Sequence, residues 1–142
     1  MSIQCNPRIS LFSRCSIYTL GLLAASFGAS ANAGIQINTI DPAAQVSEKG
    51  RHVHITGPVA CTVGQRAEVY VTLTQRATGA IAMGKSHFIC TGYIQQWEVH
   101  AAAHGQEDFE TGAALAVALG ITSKRGKADD AHQWLVQITL VH

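Results

Sequence analysis

Residues 66–75 read Arg-Ala-Glu-Val-Tyr-Val-Thr-Leu-Thr-Gln, an uninterrupted alternation that narrows what this chain can become more than any other feature. Ala67, Val69, Val71 and Leu73 fall on one side, and Glu68, Tyr70, Thr72 and Thr74 on the other. A period of two belongs to an extended strand with one face buried, and Val, Thr and Tyr suit a pleated surface. The pattern recurs along the chain. Val53 and Ile55 alternate with His52, His54 and Thr56. Trp97, Val99 and Ala101 alternate with Gln96, Glu98 and His100. Trp134, Val136, Ile138 and Leu140 oppose Gln137 and Thr139. Ile35 and Ile37 suit a short first strand, and 81–90 suits another, with Gly84 marking a bulge or a close backbone approach.

Residues 113–121 read two ways. The run Ala-Ala-Leu-Ala-Val-Ala-Leu has helix propensity, but Gly112 and Gly120 bracket only seven residues, and Leu115, Val117, Leu119 and Ile121 alternate with small neighbours. A helix so short is marginal by itself, so a strand is expected. Turn signals stand at Gly57-Pro58, Gly64-Gln65, 76–79 and Thr91-Gly92. Residues 103–112 read as a polar loop and 123–130 as a charged one, with the last strand starting near Ala131. About seven short antiparallel strands at this spacing predict an all-β domain, an immunoglobulin-like β-sandwich. The likeness is architectural, because Trp97 follows the second cysteine instead of lying between the two.

That domain is expected to be residues 34–142. Residues 1–33 carry Arg8 and Arg14 with no acidic group, an apolar stretch over 17–27, and the small residues of Ala31-Asn32-Ala33, the order of a secretory signal peptide. The apolar stretch is shorter than the roughly 20 residues that span a bilayer, so no membrane span is expected once the signal is cleaved. Removing Arg8 and Arg14 from ten basic residues leaves eight against nine acidic groups, a net charge of −1 with histidine neutral. The mature chain shows no basic stripe for nucleic acid and no polybasic membrane patch. Two of the four cysteines also leave with the signal. Cys61 and Cys90 remain, and in an oxidising compartment such a pair is expected as a disulfide.

Cys61-Thr-x-Gly64, Val69-x-Val-x-Leu-Thr-Gln75, Cys90-Thr-Gly92 with Trp97, Phe109-x-x-Gly112 and Trp134 together resemble an uncharacterised family of small secreted bacterial proteins, mostly actinobacterial. The resemblance covers about residues 50–142. It implies export and a β-sandwich with one disulfide, and it carries no catalytic residues over.

Histidine is the chemistry in surplus, with seven in the expected mature chain. His52 and His54 share a strand face, about 7 Å apart, and imidazole suits zinc or copper. His87 or His132 is a candidate third ligand from a neighbouring strand, so His52, His54 and His87 form the expected metal set. His100 and His104, four apart and followed by Glu107, Asp108 and Glu110, would share a face only on a helix. Ser86-His87, Ser123, Glu98, Glu107 and Asp108 are the residue types of a hydrolytic site, yet no G-x-S-x-G or H-E-x-x-H motif organises them. Tyr70, Tyr93, Trp97 and Trp134, with at least two in the core, and the loops at 104–111 and 123–130 are the candidate contact surface. The leading expectation is a non-enzymatic secreted or cell-surface binding module for an extracellular protein or glycan, without cofactor. The alternatives are an extracytoplasmic copper- or zinc-binding protein, and a small secreted enzyme or enzyme inhibitor.

Overall fold

A computed structural model describes residues 34–142; the expected signal peptide, residues 1–33, lies outside the described residues. The described residues form eight strands: β1 (Ile35–Asn38), β2 (Ala43–Val46), β3 (His52–Cys61), β4 (Arg66–Thr74), β5 (Ile81–Ile89), β6 (Gln95–His104), β7 (Gly112–Lys124) and β8 (Lys127–Val141). No helix among them is long and apolar enough to cross a membrane. The all-β expectation holds, and residues 113–121 are strand, within β7.

The immunoglobulin-like sandwich gives way to a closed barrel. The strands run β3-β2-β8-β7-β4-β5-β6, and β6 returns to pair with β3 from Val59↔Gln95 to His52↔Ala102, which closes a ring of seven. β1 adds an eighth strand on β3. The pairing is mixed, because β2 runs parallel to β8, with Ala43 opposite Thr139 and Gln45 opposite Val141. Sandwich and barrel demand the same inward–outward alternation along each strand. The pairings that distinguish them join segments far apart in sequence, so local periodicity is silent on closure.

One contiguous core fills the barrel. Trp97, Ile55, Leu73, Ile138 and Leu140 are its largest fully buried side chains, and Val99 and Ala101 line the same face of β6 as Trp97. The bulk they bring is balanced on β7, where Ala114, Ala116 and Ala118 point inward while Leu115 and Leu119 face outward. Gly120 continues the inward row beneath Trp134, whose ring would lie 3.2 Å from an added Cβ. Small residues at these positions make room for the indoles, which meet edge to face with centroids 6.5 Å apart.

Two other expectations change. Gly57 and Pro58 do not break β3; a Cβ at Gly57 would run into the Thr39 carbonyl and the Trp97 ring, so glycine lets the indole lie against the strand. The charged loop expected over 123–130 is the tip of a long β7–β8 hairpin, turned by Arg125 and Gly126 alone. Their φ angles of 52° and 77° are those of a two-residue turn whose twist matches the strands it joins.

The polar 103–112 segment closes one barrel end. Phe109 is buried there, and Arg51 donates to the carbonyls of Ala103, Gly105 and Glu107 and to the Asp108 carboxylate. At the opposite end Cys61 and Cys90 form the expected disulfide, with Cα atoms 5.4 Å apart.

Candidate metal centre

The alternation that sends Val53, Ile55, Val99 and Ala101 into the core sends His54, Thr56, Glu98 and His100 onto the outer wall. The antiparallel register of β3 and β6 sets His54 directly opposite His100 and Thr56 opposite Glu98. The two imidazoles stack with centroids 4.5 Å apart and planes 13° from parallel. His54 Nε2 lies 3.3 Å from Glu98 Oε2. His54 is about one-third exposed and Glu98 about two-thirds, so the cluster opens to solvent.

One ligand atom from each of His54, Glu98 and His100 lies within 4.8 Å of the others, the one such cluster of three among the described residues. Two imidazole nitrogens and a carboxylate oxygen are a donor set for zinc or copper, with a further coordination position left to water or a ligand. Bonds of about 2.0–2.1 Å require donors about 3.3 Å apart. The side chains must therefore close inward and the rings turn out of their stack, a movement their exposure allows.

Of the expected ligands, His54 belongs to this cluster; His52 and His87 do not. His52 lies one alternation from His54 on β3, opposite Ala102. His87 sits on β5 opposite Glu68. β5 pairs with β6 only where residues 81–83 meet 102–104; Gly84 still packs closely on the β6 backbone, but the ladder does not continue past it. A cleft of about 280 Å3 opens there, lined by Thr56, Ser86, His87 and Glu98, so of the three cluster residues only Glu98 shares a wall with His87.

The remaining candidates disperse. His104 ends β6 opposite Ile81, and Asp108 is held by Arg51, so no helical His100–His104 pair forms. His132 stands edge-on to Trp134, with ring centroids 6.2 Å apart. Ser123 Oγ donates to the Arg66 carbonyl, far along the chain from Ser86-His87 and joined to neither. Trp97 is buried and Trp134 packs against the core, as expected of at least two of the four aromatics, while Tyr93 is 80% exposed.

Sequence reasoning named Glu98 only as a hydrolytic carboxylate and His100 only beside His104; it missed that both join His54. Each stood out as a polar residue on a strand face, but the β3–β6 register that joins them leaves no local signal. No protein-family model and no curated protein matches this chain, so any functional reading starts from the geometry of its own residues.

Proposed function

We propose that this protein is a small extracytoplasmic binder of a divalent transition-metal ion, zinc or copper, held on the outer barrel wall by His54, His100 and Glu98. The reading rests on one observation: two histidines directly opposite each other across a strand pair, with a carboxylate within 3.3 Å of one of them. A surface ion pair between histidine and glutamate would by itself contribute little stability, whereas the three donors together suit a metal. The Cys61–Cys90 disulfide supports a compartment in which thiols oxidise. No catalytic role is part of the reading; the barrel is the rigid wall that holds two ligating strands in register.

Calorimetric titration of the metal-stripped, oxidised protein with Zn2+ and with Cu2+ tests it. One equivalent is expected to bind, with affinity falling as pH is lowered because imidazole must be neutral to ligate. His54→Ala and His100→Ala should each weaken binding about tenfold or more, and Glu98→Gln by less. Unchanged affinity in both histidine variants would remove the site.

A further inference from the structure

The disulfide end of the barrel is apolar where a soluble surface would be polar. Val63 in the β3–β4 loop is 70% exposed. Ile89 at the end of β5, and Tyr93 and Ile94 in the β5–β6 loop, are 60%, 80% and 65% exposed. These are large side chains on neighbouring loops. Gly92 packs beside Val63, since a Cβ there would lie 3.2 Å from Val63 Cβ. The Cys61–Cys90 bond ties the two loops together. Gly64 N–H donates to the Cys90 carbonyl and Cys90 N–H to the Gln65 carbonyl, each at 2.8 Å. The apolar group is thus presented on a braced platform.

The β7–β8 hairpin ends at the same pole. Arg66, the first residue of β4, lies opposite Ile89 on one side and Ser123 on the other, and Gln65 Nε2 donates to Asp129 of β8. The hairpin tip that follows Ser123 carries Lys124, Arg125 and Lys127. Of the nearby carboxylates, Glu68 is paired with Arg66 and also accepts from Tyr70; Asp129 and Asp130 accept from the neutral Gln65 amide and Ile35 N–H and keep their charge, so residues 124–130 carry three cations against two carboxylates, a net charge of +1. Among the described residues the three hairpin cations form no ion pair.

We infer that this pole docks on an anionic lipid surface, with Val63, Tyr93 and Ile94 entering the headgroup–acyl boundary and Lys124, Arg125 and Lys127 facing the lipid phosphates. Protruding aliphatics with an aromatic at their edge suit an interface that is apolar below and wet above. Adjacent unpaired cations are drawn to the negative surface potential, while lysine is disfavoured at the centre of a protein–protein contact. An exposed apolar cluster of this kind marks an interaction site. The three cations occupy four consecutive positions, too few to read as a polybasic segment in the sequence; the fold brings the apolar loops beside them.

Co-sedimentation of the oxidised protein with phosphatidylcholine vesicles, with and without about a third phosphatidylglycerol, tests the inference. EDTA is present throughout, so the outcome is independent of the metal site. The protein is expected to sediment with the anionic vesicles and to be released by salt. The double variant Tyr93→Ser/Ile94→Ser should lose binding. Lys124→Glu/Arg125→Glu should weaken it by roughly tenfold or more on anionic vesicles. Circular dichroism of both variants should match the parent, because every substituted side chain is exposed. Failure to bind anionic vesicles, equal binding to neutral ones, or full binding by the Tyr93/Ile94 variant would overturn the inference. Sedimentation without lipid would overturn it too, and would point to a second copy of the chain as the occupant.

Discussion

Gly84 shows how much a single position decides. A Cβ there would come within 2.5 Å of Val99 Cγ1, 2.8 Å of the His100 carbonyl oxygen and 2.9 Å of Ala101 Cα, so β5 crosses β6 at a distance that only glycine permits. The close approach expected from an isolated glycine in a strand pattern is what the fold contains. Two of the three obstacles are backbone and cannot swing aside. Gly84→Ala should therefore cost about 1–3 kcal/mol, read from urea denaturation. On the outer wall, Tyr70 Oη donates to Glu68 Oε2 at 2.8 Å. That bond, aided by the positive charges of Arg66 and Lys85, holds the Glu68 carboxyl below its ordinary range; the same bond and the Glu68 charge hold the Tyr70 phenol above its own. Glu68 thus stays ionised to lower pH than a free glutamate. Glu68→Gln should let Tyr70 ionise at lower pH, measured by tyrosinate absorbance in an alkaline titration. At the candidate metal centre, the His-x-His spacing pointed to His54 with His52, and to His87 or His132 as a third ligand; it gave no reason to join His54 to His100. That pairing belongs to strand register, which neither segment encodes by itself.

Strands were legible wherever one face is dry and the other wet. β3, β4 and β6 announced themselves through alternation, and their inward residues are those the alternation selects. The failure over 123–130 has the converse cause. Residues 124–129 are exposed on both faces, so the apolar half of the pattern vanishes while the hydrogen-bonded ladder continues. Composition there reads as loop, yet only Arg125 and Gly126 leave the strands. Arg125 is the one non-glycine residue with positive φ among the described residues. Arg125→Gly should relieve that conformation and raise stability by up to about 1 kcal/mol, part of the gain being offset by the greater freedom of glycine when unfolded. Differential scanning calorimetry would show it as a higher midpoint.

The barrel as a whole rests on contacts between distant segments, and those were the least visible in sequence. The all-β class followed from alternation and turn spacing, and the disulfide from the expected oxidising compartment; closure followed from neither. Cys61 and Cys90 are 29 residues apart, and a cross-link over that span removes loop entropy worth about 3–4 kcal/mol from the unfolded chain. Replacing both by alanine should lower the free energy of unfolding by about that amount in chemical denaturation, and should loosen the platform carrying Val63 and Tyr93. The parallel seam between β2 and β8 has a consequence in time. Gln45 finds its partner in Val141, so one of the first staves of the wall waits for one of the last. No early portion of the chain can complete the ring while the rest is still arriving, and the search that joins its extremes is of the kind that takes milliseconds to seconds. Until β8 arrives, the inward faces of β3 and β4 stand open to water. The interval before the seam closes is when this molecule is most exposed to aggregation, and the speed with which its C-terminal strand docks sets how long that interval lasts.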